Sequence, residues 1–441
     1  MKKVTLKHEF SEIIGRIKPM HAINNAPTVP DDYFGLYKYL SDAAIPYARM
    51  HDTGGRYGGA RYVDIANVFP NFDADETDSA SYDFAFTDRL FCELVRFGVK
   101  PFYRLGSTIE NYHRIKAYNI YPPKDPTKWA RICEHIIMHY NEGWADGFHM
   151  GLEYFEIWNE PDNEPEICDN PMWKGTKEQF FELYAVTYSH LKSRFPSLKI
   201  GGYASCGFYA LSSSDFSHVA HSSPRTDYFV EFFLDFLSYI QKNNIGLDFF
   251  SWHSYAGVSD NVGYASYVRQ TLDSFGYRST EVFLNEWNPG INERGKLCDA
   301  SNILTMMIRM QDTPTDMLMY YDAWILTAYC GLFDPVAHCP FPAYYAFLFF
   351  GKLFKLVYET KCVLESRDGC DGICALSASN DGLYGIALSN STDDDAEIVI
   401  VSDNDYELTL ADGNTARTIE MCENRFILKA HAIAYMQGKN K

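Results

Sequence analysis

Two hydrophobic periods alternate along the chain. Short runs dense in β-branched and aromatic residues recur at IKPMHAI (17–23), IPYARMH (45–51), VKPFYRL (99–105), EYFEIWN (153–159), LKIGGYA (198–204), LDFFSWH (247–253), EVFLNEW (281–287) and MLMYYDAWI (317–325). Longer amphipathic stretches lie between them, among them 83–98, 127–145, 176–194, 225–244 and 301–311, with 340–355 after the last run. The short runs read as buried strands and the amphipathic stretches as helices. Repeated strand-helix units predict an α/β chain folded as a (β/α)8 TIM barrel, whose site lies at the carboxyl ends of the strands.

After about Val357 the period falls to two, in segments such as GICALSAS, LYGIALSN, AEIVIVSD and YELTLADG. Asn380-Asp381-Gly382 has the chemistry of a tight hairpin turn. The expected organisation is a catalytic barrel over residues 1–356 and a small C-terminal β-sandwich over 357–441. The acidic run STDDDAE (391–397) reads as a solvated turn.

Composition narrows the functions. A chain of 441 residues, 46% hydrophobic and 22% charged, suits a soluble protein with a large core. Its net charge of −19 argues against a nucleic-acid partner, which would need clustered Lys and Arg. No apolar run is long enough to cross a membrane. The start, MKKVTLKHEFSEIIGRIKPMH, holds no continuous apolar stretch of the kind that directs export, so a cytoplasmic location is expected. Eleven cysteines are scattered without metal-type spacing; Cys370 and Cys374 come nearest, with no partner cluster. No metal or other cofactor is expected, and the thiols read as free in a reducing compartment. The glycine-rich DTGGRYGGARY (52–62) fits no phosphate-binding spacing and reads as a loop bordering the pocket. Oligomeric state stays open, a homo-oligomer included.

The strand ends carry the candidate chemistry: His21, Arg49, His51, Arg104, Asn159, Glu160, His253, Tyr255, Glu286 and Trp324. In FEIWNEPD (155–162), a proline ends the strand just after a carboxylate. A buried, unpaired carboxylate costs several kcal/mol, so Glu160 is either solvated or put to use. Glu160 closes strand four and Glu286 strand seven, and a closed barrel would bring the two face to face. Two opposed carboxyls are what glycosidic cleavage needs: one donates a proton to the departing oxygen, while the other attacks or activates water.

IWNEPD together with LNEW (284–287) resembles the clan of barrel glycoside hydrolases in which an Asn-Glu pair ends strand four and a glutamate ends strand seven. Within it the best match is family 39, which includes β-xylosidases and α-L-iduronidases and also carries a β-sandwich after the barrel. The resemblance implies that Glu160 is the general acid/base and Glu286 the nucleophile of a retaining double displacement. It implies that Asn159 holds the sugar 2-hydroxyl and that Arg49 pairs with the nucleophile. His51, His253 and Tyr255 would line the sugar subsite, Tyr255 donating toward Glu286, with Trp324 as the aromatic floor. Each residue also has a structural reading: solvated strand-end acids, a salt bridge inside the barrel for Arg49, hydrogen-bonded core histidines, a packing tryptophan. Trp158 and Trp252 read as core.

Two loops depart from the family pattern. Strand three runs into YRLGSTIENYH, with Arg104, Ser107 and Glu110 near the mouth in place of a Phe-Met-Pro type turn. Strand eight runs into DAWILTAYCGLFDP in place of a Trp-Thr-Phe-Ser-Asp type stretch. An iduronidase must bind a carboxylate, and Arg104 is the one basic candidate. The expected substrate is therefore a short oligosaccharide or glycoside bearing a neutral pentose, either β-linked xylose or α-L-arabinofuranose, trimmed by exo-action. An α-L-arabinofuranosidase or hexose-directed enzyme on the same scaffold, or an inactive carbohydrate-binding protein, are the competing readings.

Overall fold

The computed structural model describes residues 2–50, 63–109, 119–212, 223–367, 369–402, 404–421 and 424–439. All eight expected barrel strands form: β2 (Ala22–Asn24), β3 (Tyr47–Met50), β4 (Lys100–Leu105), β5 (Tyr154–Ile157), β6 (Lys199–Ser205), β7 (Phe249–Ser254), β8 (Glu281–Trp287) and β9 (Met317–Tyr320). They close in sequence order, and every recorded pairing between them is parallel. The helices that return the chain include α1 (Tyr37–Asp42), α2 (Ile65–Val68), α3 (Ala85–Arg96), α4 (Pro126–Asn141), α5 (Lys177–Arg194), α6 (Pro224–Lys242), α7 (Val258–Ser274), α8 (Leu297–Gln311) and α9 (Pro342–Leu356). Several begin where local chemistry sets the start. Asp125 caps α4 ahead of Pro126, and Thr176 and Ser223 form reciprocal capping boxes with Gln179 and Thr226. Among the described residues, no helix is long and apolar enough to cross a membrane.

By contact the chain divides into two compact units. One comprises residues 24–32 and 47–287; the other comprises 1–23, 33–46 and 288–441. The first holds β3 to β8, whose parallel pairing runs unbroken from Tyr47 to Trp287.

The second unit contains a mixed sheet of nine strands: β1 (Lys2–Arg16), β10 (Tyr358–Glu365), β11 (Ile373–Asn380), β12 (Leu383–Asn390), β13 (Ala396–Val401), β14 (Glu407–Ala411), β15 (Ala416–Ile419), β16 (Arg425–Leu428) and β17 (Ile433–Lys439). It curls around one apolar core that includes Val4, Leu6, Ile386, Ile398, Phe426 and Met436. Asp381 and Gly382 join β11 to β12 with positive φ at both positions, the two-residue hairpin expected of this sequence. The acidic residues 393–395 are exposed, as a solvated turn requires. The sheet's membership differs from the expected boundary at 356/357. Lys2–Arg16 lies between β10, antiparallel, and β13, parallel, and so joins the sheet rather than the barrel. Val4 and Leu6 alternate inward, and the apolar surface they bury is supplied by strands more than 350 residues later.

Candidate active site

The barrel interior is layered, and the layers explain which side chains reach the site. At the base, the rings of Phe102, Tyr154, Phe249 and Phe283 meet at centroid distances of 5.0–6.2 Å. Side chains two residues further along a strand share a face. The next layer is therefore Arg104, Glu156, Ser251 and Asn285, a polar tier inside a protein core.

Above that tier, strict alternation breaks at both glutamates. On β8, Trp252 pairs with Leu284 but His253 pairs with Glu286, leaving Asn285 as a one-residue bulge. Consecutive Asn285 and Glu286 can then both serve the interior. On the β5 side, Trp158 (φ 76°) and Glu160 (φ 47°) take left-handed backbone conformations. Such residues cost on the order of 1–3 kcal/mol each and cluster at functional sites. The indole of Trp158 turns away to donate to the Met172 carbonyl, while Asn159 and Glu160 face the other site residues. Gly106 fits this corner because a Cβ there would stand 2.9 Å from the Trp158 Cα.

Glu286 is nearly buried, its side chain 8% exposed. Its Oε1 accepts from the Tyr255 hydroxyl at 2.6 Å, and its Oε2 lies 3.5 Å from Arg49 Nη1 and 3.6 Å from His253 Nδ1. Glu160 is somewhat more open; its Oε1 is 2.7 Å from His253 Nδ1 and its Oε2 accepts from Asn163 Nδ2 at 2.8 Å. His253 therefore bridges the two glutamates. Burial pulls its imidazole down, but Glu286 and Glu160 outweigh that, so its pKa stands above the usual value.

Arg49 is fully buried and donates to four groups: Glu156 Oε2 at 2.7 Å, Asn159 Oδ1 at 2.6 Å, Asn24 Oδ1 at 3.1 Å and Glu286 Oε2 at 3.5 Å. The expected pairing with Glu286 exists, but the tight ion pair is with Glu156. Glu156 also accepts from Ser251 Oγ and Asn285 Nδ2 at its other oxygen. Asn159, held by Arg49 at its oxygen, keeps a buried Nδ2 with no partner among the described residues, a donor available to a ligand hydroxyl.

The structure thus brings together Arg49, Asn159, Glu160, His253, Tyr255 and Glu286. His51 and the glycine-rich loop 52–62 lie outside the described residues, as does Glu110. Trp324 belongs to the other compact unit, four residues beyond β9, and is partly exposed. His21 is a correction: it precedes β2 instead of ending it. There its Nε2 donates to the Ala44 carbonyl and its ring packs against Phe350 and Phe354, with burial pulling its pKa to about 3. Arg104 donates to Asp64 Oδ1 at 2.7 Å and to Thr108, so its charge is already matched. Trp158 and Trp252 are buried. Sequence reasoning passed over Glu156, Asn163 and Asp162. Glu156 had a legible signal, since it stands two residues beyond a base-layer aromatic on the same strand face.

Asp162, two residues past Glu160, is fully buried, and accepts from Ser205 Oγ and the Cys206 backbone. Burial raises its pKa to about 7, against the hydrogen bonds, with Glu160 adding repulsion. Its folded pKa exceeds the unfolded value of about 3.9, so the folded state binds the extra proton between these limits. Stability supplied by this group is present below about pH 4 and lost as pH rises toward about 7. Relative to Asp162→Asn, the wild-type melting temperature should fall across that window; a pH-independent difference would contradict a buried, protonated Asp162.

Glu160, His253 and Glu286 each bring one ligand atom to within 4.8 Å of the others. A cation would fit such a group sterically, but two carboxylates at the carboxyl ends of barrel strands are also the apparatus of glycosidic chemistry. Fold and site together define the barrel glycoside-hydrolase class. The chain belongs to the glycosyl hydrolases of family 39, whose family model matches residues 61–420. A β-xylosidase of Geobacillus stearothermophilus is 26% identical over 234 residues, 49% of this chain and 40% of that enzyme. The match thus spans about two-fifths of that relative's length. Among solved structures, a glucosidase from Croceicoccus marinus superposes with a TM-score of 0.75 at 19% identity, covering 99% of this chain and 98% of the other. A family 39 β-xylosidase from Caulobacter crescentus gives 0.69 at 15%, covering 99% and 100%. At these identities the likeness concerns the fold.

Proposed function

We propose that this protein is a retaining exo-glycosidase that releases a neutral pentose, most simply β-linked xylose, from short oligosaccharides or glycosides. The observation that carries the reading is the Glu160–His253–Glu286 cluster, whose ligand atoms lie within 4.8 Å. Retaining enzymes hold their carboxyls about 5–5.5 Å apart, whereas inverting enzymes leave about 6.5–9.5 Å for a water.

Glu286 attacks the anomeric carbon. Tyr255 and Arg49 hold its two oxygens, fixing the direction of attack before substrate arrives. Glu160, more open and braced by Asn163, gives its proton to the leaving oxygen and takes one from water in the second step. His253, with Nδ1 against both carboxylates, carries a proton between them in reach of Glu160. Asn159 Nδ2 donates to the 2-hydroxyl, a contact that strengthens in the transition state. On the family resemblance alone, Trp324 is assigned the aromatic floor and His51 the sugar subsite. The neutral sugar is supported by Arg104, the one basic candidate for a carboxylate, being matched by Asp64. The name of the Geobacillus relative points the same way. We place the protein in the cytoplasm, where the ten described cysteines, all free, remain reduced. Among the described residues, the barrel strands lie between 22 and 320, and the curled sheet takes in 2–16 with strands between 358 and 439.

The test is a panel of nitrophenyl glycosides, with the configuration of the first-formed product read by proton NMR. Release of xylose with retention supports the reading; release with inversion overturns the mechanism, and release of another sugar overturns the substrate. Glu160→Ala should slow substrates with poor leaving groups by about 10²–10⁴-fold and spare glycosylation by dinitrophenyl glycosides, which need no acid. Equal loss on both would remove Glu160 from the acid role.

A further inference from the structure

Within the second unit, a cavity of about 600 Å³ opens where α9 meets the ends of β12, β14 and β17. Its volume lies in the range of small-ligand sites. Tyr384 and Tyr435 form a buried aromatic floor, and Leu356 and Leu383 add apolar wall. The floor depends on two glycines: a Cβ at Gly385 would meet the Tyr435 hydroxyl, and one at Gly438 the Tyr384 hydroxyl, at 2.3 Å.

The charge around the rim is unusual for a chain of net charge −19. Three lysines converge there, Lys352, Lys355 and Lys439, against Asp405 and Glu407. Lys355 donates to the Asp42 carbonyl, and Glu407 accepts from Gln437. Lys352 has no carboxylate partner among the described residues; its ammonium sits 4.8 Å over the Tyr435 ring. Burial holds it below the usual lysine range, with Glu407 restoring only part. A partly desolvated cation beside an aromatic surface gains from an incoming anion.

We propose that this cavity is a second binding site, specific for a carboxylate-bearing sugar. Lys352 and Lys439 take the carboxylate, Asp405 and Glu407 accept from ring hydroxyls, and the tyrosine and leucine surface packs against the ring. Three cations facing two acids suit a monoanion with hydroxyl donors, whereas a phosphate dianion would be repelled by both carboxylates. The site is separate from the barrel carboxylates and does not depend on the proposed reaction.

Calorimetric titration of the full chain with methyl β-D-glucuronide tests it, with methyl β-D-glucoside and inorganic phosphate as comparison ligands. The expected result is saturable glucuronide binding, weakened at least ~10-fold in Lys352→Met and in Lys439→Met, as loss of a charged hydrogen bond implies. Hydrolysis of nitrophenyl glycosides should be unchanged in both variants. Glucuronide binding that survives both substitutions would place it elsewhere and overturn the proposal, as would no binding. Equal affinity for phosphate would overturn the sugar-specific reading, and equal affinity for the glucoside would remove the role of the lysines.

Discussion

Glu286→Ala should lose at least about 10⁴-fold in turnover, the scale on which removing a covalent nucleophile acts. The substitution opens a cavity where the carboxylate stood, with Tyr255 and Arg49 still aimed into it. Azide is small enough to enter that space. It would attack the same anomeric face that Glu286 attacks, and the glycosyl azide formed would have inverted configuration because no second displacement follows. Product NMR reads the outcome. Activity surviving at more than about a hundredth of wild type would move the nucleophile elsewhere. Rescue by azide with retained configuration would exchange the roles of the two glutamates, since an anion replacing the general base in the second step gives a retained product.

Glu156→Gln should be the most destabilising single change in the barrel. Arg49 and Glu156 are both completely buried and 2.7 Å apart. Breaking a buried pair by neutralising one partner costs about 3–5 kcal/mol, and Glu286, 3.5 Å from Arg49, compensates the remaining charge only at longer range. Replacing both by apolar groups can restore much of the loss. The double variant Arg49→Met/Glu156→Leu should therefore unfold at higher denaturant than Glu156→Gln alone. It should still lose activity, because Asn159 and Glu286 lose their shared donor. Stability and activity thus separate: the ion pair needs any matched filling, whereas the reaction needs the guanidinium itself. Denaturant unfolding and kinetics on one nitrophenyl substrate measure both. Glu156→Gln unfolding within ~0.5 kcal/mol of wild type would mean that the pair is not desolvated as the structure has it.

Much of this was written in local sequence. Five of the eight barrel strands fall inside the runs marked by their hydrophobic period and the other three, β2, β6 and β7, end one residue beyond theirs, because a strand buried on both faces needs a continuous apolar run wherever the rest of the chain lies. The Asn380–Gly382 hairpin follows from residues that accept positive φ. Glu160 and Glu286 were marked by short motifs at strand ends, where the barrel presents its residues.

What sequence could not supply depends on contacts between distant segments. That Lys2–Arg16 completes the curled sheet follows from its partners at 358–365 and 396–401, since an alternating strand is satisfied by any edge of matching register. That Arg49 pairs first with Glu156 was decided by the curvature of the sheet, which brings side chains of β3 and β5 together across β4. His21 went from strand-end candidate to core residue because β2 starts after it, and strand ends are set by pairing rather than by composition. The sequence by itself determined the eightfold repeat and the two glutamates, since both rest on local period and local motif. Only the tertiary structure decided how charge is shared among Arg49, Glu156, His253 and the two glutamates, because burial and distance, which set those interactions, exist only once the barrel has closed.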